Sequence, residues 1–212
     1  MKLYHSNASP NSRRVRIFLR EKGISMPLLP VDLGAREQFS DAFRAINPRL
    51  QVPVLVLDDG TAIAEVPAIW RYLEDTHPAQ PLLGATPKER ARVLMWERRM
   101  ELDGFAAVME AVRNRVAGLK GRALSGPHDY EQIPALVERS TQRVHNFFAD
   151  LNARLAETAF VAGDSFSAAD ITALAAVDFA KGGMELAVPA EHAALLRWYQ
   201  VVSSRPGVNE RN

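Results

Sequence analysis

Three short segments combine residue types that can hold a small ionic ligand. In Ser9-Pro10-Asn11-Ser12-Arg13-Arg14-Val15, a hydroxyl precedes a proline that is favoured as the first residue of a helix. Read structurally, Ser9 is an N-cap worth about 1 kcal/mol. Read chemically, its hydroxyl donates to an anion beside the positive end of the helix. A hydrogen bond to a charged partner contributes about 1.5–3 kcal/mol, and one pKa unit is about 1.36 kcal/mol. One aimed hydroxyl therefore takes a thiol from about 8.5 toward 7, where it becomes a nucleophile at neutral pH. The chain contains no cysteine, so such a thiol has to arrive on a ligand.

The second segment is Val52-Pro53, inside the apolar run Gln51 to Leu57. Proline removes a ladder donor, so pairing there is incomplete. With a cis bond, Val52 presents its N–H and C=O sideways to a peptide-like ligand. A plain edge-strand proline is the simpler reading, since only about 5% of X–Pro bonds are cis. The third segment, Glu65-Val66-Pro67, stands at another helix start. Unpaired N–H groups there attract a carboxylate, and Glu65 accepts from an ammonium, so the two ends of an amino acid fit. The alternative is a helix start with an acidic residue placed favourably near its dipole.

Other candidates are structural or empty. Ser167 and Asp170 have capping-box spacing, and Phe166 with Ile171 has hydrophobic-staple spacing. His5, His77, His128, His145 and His192 show no ligand spacing, so no metal is expected. No glycine-rich phosphate loop is present. Glu101 and Asp103 read as surface charges or as groups facing a partner subunit.

The elements that must position these segments follow from pattern and punctuation. Residues 2–5 read as a strand, Pro10 opens a helix that Gly23 ends, and Leu28 to Leu33 is a second strand. A short helix falls near Asp41–Ala45. The strand 51–57 turns at Asp58-Asp59-Gly60 and returns over Thr61–Ala64. A helix then covers Val66–Thr76. The order is βαβ followed by ββα. Two prolines mark a linker. The domains are expected at 1–78 and 87–212, with 79–86 between them. Thr86-Pro87-Lys88-Glu89 is a capping box opening a long helix, striped by Leu94, Leu102, Phe105, Met109, Val112 and Val116. Further helices are expected over Pro134–Thr158, from Ser167, and over Glu191–Ser203.

Composition sets the outer bounds. The 212 residues are 47% apolar and 24% charged, which is ordinary for a globular chain able to bury a core unaided. A net charge of +1 gives no general preference for nucleic acid. Residues 79–122 hold nine Lys/Arg against five Asp/Glu, a solvated helix face in the plain reading or a field for anionic ligands. There is no apolar signal core and no uninterrupted apolar run of about 18 residues, so a cytoplasmic protein without membrane contact is expected.

In order and spacing, four segments together resemble a glutathione transferase over essentially the whole chain. They are Ser9 to Ile17, Gln51-Val52-Pro53, Glu65-Val66-Pro67-Ala68-Ile69 and Phe166 to Ile171. The likeness is greatest to the serine-type theta and zeta classes. Ser9-Pro10-Asn11 is also similar to the Thr-Pro-Asn segment of bacterial nu-class enzymes, which reduce glutathione-linked disulfides. The resemblance implies a fold of α/β plus all-α type, with an N-terminal thioredoxin-like domain and a C-terminal helical bundle. It implies a homodimer with glutathione as co-substrate and Ser9 and Asn11 as catalytic residues, with Tyr4 and Ser6 as rival sulfur partners. It further implies that Val52, before a cis Pro53, pairs with the cysteinyl unit and that Glu65 and Val66 hold the γ-glutamyl end. Gln38 and Gln51 face the glycine carboxylate, and Asp170 is a folding element. Phe105, Val108, Met109 and Arg113 are expected to line the pocket of a small apolar electrophile. One departure stands out. The family has Ser or Thr where this chain has Val66, so one hydrogen bond to the γ-glutamyl carboxylate is lost. The expected activity is conjugation of the glutathione thiolate to an electrophile. The alternatives are glutathione-dependent disulfide reduction and a non-catalytic binding module of transferase-like fold.

Overall fold

The computed structural model describes residues 1–209. They form two compact units. The first is Met1–Gln80 with Ser125–His128, and the second is Pro81–Leu124 with Asp129 onward.

The first unit is built on a four-stranded sheet, β1 (Lys2–His5), β2 (Leu28–Pro30), β3 (Val54–Val56) and β4 (Ala62–Ala64), in the order β2-β1-β3-β4. β1 runs parallel to β2, and the other two pairings are antiparallel. Leu3 lies between Leu28 and Leu55 and is fully buried, as period-two alternation requires of a strand that packs one face. Helix α1 (Pro10–Glu21) crosses from β1 to β2. It starts on Ser9 as N-cap and Pro10, and it ends in a Schellman pair, Gly23 N–H to Arg20 O at 3.0 Å and Ile24 N–H to Leu19 O at 2.9 Å. Gly23 has φ +66°, the conformation that motif needs. A short α2 (Asp41–Ile46) is capped by Ser40, and α3 (Val66–Thr76) follows β4. The two long helices meet through Phe18 and Trp70, stacked at 5.4 Å, with the Arg14 guanidinium 5.1 Å from the Trp70 ring.

Two strands are shorter than the apolar runs suggest. β2 stops at Pro30 because the Asp32 carboxylate accepts from Gly34 and Ala35 N–H at 2.8 and 3.0 Å and turns the chain. β3 begins only at Val54, because Pro53 has no N–H to give and Val52 stays outside the ladder. The Val52–Pro53 bond is cis. Residues 79 and 80, within the stretch expected as a linker, are tied to the first unit. Lys22 Nζ donates to Ala79 O, Gln80 O and the Glu74 carboxylate at 2.9, 3.1 and 2.7 Å.

The second unit is helical throughout: α4 (Pro87–Arg99), α5 (Ala106–Arg115), α6 (Pro134–Glu157), α7 (Ala168–Met184), α8 (Ala193–Ser203) and α9 (Pro206–Asn209). Its centre is α7, buried on nearly every side as an alanine-rich helix can be. Asp170 does more there than cap. Its carboxylate accepts from Ser167 N–H and Oγ, from Val161 N–H and from Trp198 Nε1, all between 2.9 and 3.0 Å. Burial pushes its pKa up to about 6, opposed by those hydrogen bonds. No helix among the described residues is long and apolar enough to cross a membrane.

The expected single long helix after Thr86 is interrupted by a π-helical segment, Met100–Phe105. The wider turn shifts the register of the buried face. Leu94 and Leu102, read from the sequence as core, are 63% and 44% exposed, and Val116 is exposed too. The buried positions include Val93, Glu97, Met100, Phe105, Ala107, Val108, Ala111 and Val112. Glu97 is satisfied there by the Thr172 hydroxyl at 3.1 Å. Within the π segment, Gly104 lets the α6 side chain Phe147 lie against the backbone. A Cβ at 104 would sit 2.6 Å from that ring. Gly104→Ala is therefore expected to destabilise the protein by about 1–3 kcal/mol, the range for overpacking. This outweighs the gain of about 1 kcal/mol in helix propensity. Urea unfolding measures the difference.

Candidate functional site

The sheet topology gathers the three segments at one end. β1 is antiparallel to β3 with Tyr4 opposite Val54, so the chain leaving β1 toward Ser9 runs beside Val52. β3 pairs with β4 with Val54 opposite Ala64, so Glu65 and Val66 flank the same end. Both α1 and α3 start there.

Ser9 is buried and extended, with φ −94° and ψ +117°. Its Oγ accepts from Ser12 N–H at 3.2 Å. The hydroxyl proton finds no acceptor among the described residues and remains available as a donor. Cap and donor are thus compatible roles, because one uses a lone pair and the other the proton. Asn11 accepts from Arg14 Nη1 at 3.0 Å through Oδ1, which leaves its NH₂ as the free end. Tyr4 packs edge-on against Phe43 at 6.3 Å and belongs to the apolar cluster of Val31, Phe43, Val52 and Val54.

Val52 is buried, yet its backbone N–H and C=O have no hydrogen-bond partner among the described residues. The loop before it is held by Asn47, which no motif in the sequence singles out. Asn47 Nδ2 donates to Gln51 O at 2.9 Å, and its Oδ1 accepts from Arg49 N–H at 3.0 Å. The Gln51 side chain donates to Ser125 Oγ at 3.0 Å. Gln38 is buried with its Oε1 unpaired. Val66 is buried at the start of α3, and the N–H groups of Val66 and Ala68 are unpartnered among the described residues. Glu65 is exposed and makes no cap bond.

Backbone strain marks this region. Arg36, Leu50 and Glu65 have φ of +60°, +57° and +67° without being glycine. Each is, or lies within two residues of, a side chain singled out above: Gln38, Gln51 and Glu65. Such conformations cost on the order of 1–3 kcal/mol each and persist where the surroundings over-determine them. Sequence alone offers no signal for them.

The expected electrophile-lining residues divide. Val108 is wholly inside the helical core and has no surface to offer. Phe105 is buried against Phe179 at 6.2 Å. Met109 is half-buried. Arg113 is committed to a loop: its Nη2 donates to the carbonyls of Arg122 and Leu124. Burial, then Arg122, lowers its pKa. Val108 is thus part of the core, and Arg113 ties down the loop at 122–124. No cluster of three or more His, Cys, Asp or Glu suited to a metal occurs among the described residues.

Comparison with known proteins places relatives along the whole chain. The family model described as glutathione S-transferase, N-terminal domain, matches residues 3–81, and that for the C-terminal domain matches 134–200. Glutathione S-transferase 2 of Saccharomyces cerevisiae is 34% identical over 99% of this chain and 88% of its own length. Maleylacetoacetate isomerase of Pseudomonas aeruginosa is 43% identical over 43% of this chain and 44% of its own. A glutathione S-transferase domain-containing protein of Marinobacter aquaeolei superposes with a TM-score of 0.90 at 38% identity, covering 98% of this chain and 100% of that one.

Glu65→Gly separates strain from binding. Relief of the positive φ, less the entropy glycine loses, is expected to stabilise by about 1 kcal/mol, seen as a Tm raised by about 2–4 °C. Loss of the carboxylate is expected to weaken glutathione binding at least about tenfold by calorimetry.

Proposed function

The chain belongs to the glutathione S-transferase family, and we propose that it conjugates the glutathione thiolate to a small apolar electrophile, working as a cytoplasmic homodimer. The single observation that carries the site assignment is the Ser9 hydroxyl, which accepts from Ser12 N–H and has no acceptor for its proton among the described residues.

Glutathione lies along the end of the sheet where α1 and α3 start. Its cysteinyl unit pairs with the unpaired N–H and C=O of Val52 as an added strand does. Its γ-glutamyl carboxylate meets the N–H groups of Val66 and Ala68, and its ammonium meets Glu65. Gln38 and Gln51 serve the glycine carboxylate. The Ser9 hydroxyl donates to sulfur, with the Asn11 amide as the second polar group at the helix start. The thiol proton goes to solvent, and the thiolate then attacks an electrophilic carbon. A C–S bond forms, and the leaving group departs with its electron pair. Catalysis comes from stabilising and orienting the thiolate. The dimer is supported by the exposed side chains of Leu94, Met95 and Leu102.

Ser9→Ala is expected to reduce kcat/KM about 10- to 100-fold at neutral pH, the loss of one charge-assisted hydrogen bond. It should move the acid limb of the pH–rate profile upward by about one unit or more. An unchanged profile with a panel of carbon electrophiles removes Ser9 from the role. Turnover of a small disulfide with none of the electrophiles selects disulfide reduction instead. Val66→Thr restores the hydroxyl common in the family and is expected to tighten glutathione binding by about 2- to 10-fold, read by calorimetry.

A further inference from the structure

The turn carrying Ser9 is closed into a ring of hydrogen bonds. Ser9 N–H donates to Ser6 O at 3.2 Å. Ser6 N–H donates to Ser12 Oγ at 3.2 Å, and Ser12 N–H donates to Ser9 Oγ at 3.2 Å. Ser12 is completely buried. From the far side, Arg16 Nη1 donates to the same Ser6 carbonyl at 3.1 Å and lies 3.1 Å from His5 Nδ1, at the last residue of β1. The guanidinium thus joins the strand end to the turn.

Arg16 is oddly placed for a stabilising residue. It is buried, its Nε has no partner, and no carboxylate pairs with it among the described residues. Burial first, then Arg20 and Arg13, lowers its pKa to about 10, so it stays cationic at neutral pH. Burial, Arg16 and Arg20 lower that of His5, which keeps the imidazole neutral and able to accept. A buried, unpaired charge is costly, and a residue kept despite that cost calls for a purpose beyond packing.

We propose that Arg16 and Ser12 are positioning residues for the sulfur chemistry, clamping the Ser6–Ser9 turn so that the Ser9 hydroxyl is held in the one rotamer that donates to a bound thiolate. The inference rests on the reading of Ser9 given above. A serine hydroxyl has three staggered positions. The Ser12 N–H occupies a lone pair in one of them and polarises the O–H, making it a better donor. That rotamer is useful only while the turn keeps Ser9 facing Ser12. The Ser6 carbonyl, gripped by Arg16, keeps it so.

The test uses the full chain with Arg16→Gln, Arg16→Lys, Ser12→Ala and Ser9→Ala, singly and with the first and third each combined with Ser9→Ala. The pKa of bound glutathione is read from the ultraviolet absorbance of its thiolate, glutathione affinity by calorimetry, and kcat and KM with a carbon electrophile. Arg16→Gln and Ser12→Ala are expected to raise the bound thiol pKa by about one unit and to lower neutral-pH kcat about tenfold. Glutathione affinity should stay within about twofold. Arg16→Lys should recover part of the loss. Adding either change to Ser9→Ala should produce no further shift, because the ring acts only through Ser9. Where Arg16→Gln does not fold, Ser12→Ala decides. Folded variants with an unchanged thiol pKa, or losses that add to that of Ser9→Ala, overturn the proposal. If Ser9→Ala itself leaves the thiol pKa unmoved, the reading of Ser9 fails and this inference with it. Inert ring variants beside an affected Ser9→Ala sink this inference alone.

Discussion

Backbone N–H groups at a helix start have no partner within the helix, and the sheet of the first unit brings two such starts to the same end. α1 begins after β1 and α3 begins after β4, and the antiparallel pairings through β3 set the ends of both strands beside Val52. An anionic peptide finds there two positive helix ends and a stretch of strand without a neighbour. Each of those is a deficit in the folded protein alone. Together they are a binding edge. Shortening β3 to Val54–Val56 leaves the sheet one pairing poorer, and the unpaired Val52 is what a peptide can complete.

Holding that edge in shape is the task of residues that make no contact with it. Asn47 braces the loop before Val52 from both ends of its amide. Arg36, Leu50 and Glu65 sit in a backbone region that L-residues avoid. Strain of this kind survives only where packing elsewhere is secure, and the buried stack of Phe18 on Trp70 and the fully buried Leu3, Ile69 and Leu73 supply that security. The helical unit is organised differently. Its carboxylate Asp170, the one with no exposure among the described residues of the unit, holds a helix start, a loop and the α8 indole at once and has all its acceptor capacity spent on donors of the chain. A group so committed has none left for a ligand. A serine at a helix start therefore means different things in the two units: at Ser167 a closed structural joint, at Ser9 an N-cap with one proton left over.

Much of this is legible in the sequence because it rests on local chemistry. Proline after serine, glycine past a helix, Asp-Gly between apolar runs and Thr-Pro-Lys-Glu each act within four residues, and β1, α1, α3 and the start of α4 lie where those signals put them. What was missed depends on contacts distant in sequence. In the π segment at Met100–Phe105, Gly104 meets Phe147, 43 positions away, and Leu94 and Leu102 lie outside the core. A periodicity count assumes 3.6 residues per turn throughout, so it chose a stripe offset from the buried one. Arg113, expected beside the pocket of an apolar electrophile, donates to the loop carbonyls of Arg122 and Leu124, partners that no local pattern announces.

The contrast between Ser9 and Val66 shows how little side-chain chemistry the site requires. At Val66 the hydroxyl usual in the family is missing, yet a valine keeps the backbone N–H, which is unpartnered among the described residues. At Ser9 no backbone group can substitute, since the first helical residue is Pro10 and has no N–H. The start of α1 therefore has one donor fewer than an ordinary helix start. The serine hydroxyl, fixed by Ser12, stands where that donor is missing. In a chain without cysteine, the sulfur that matters belongs to the ligand, and its ionisation depends on donors the protein can aim. Proline removes the nearest one, and the residue just before it returns one from a side chain.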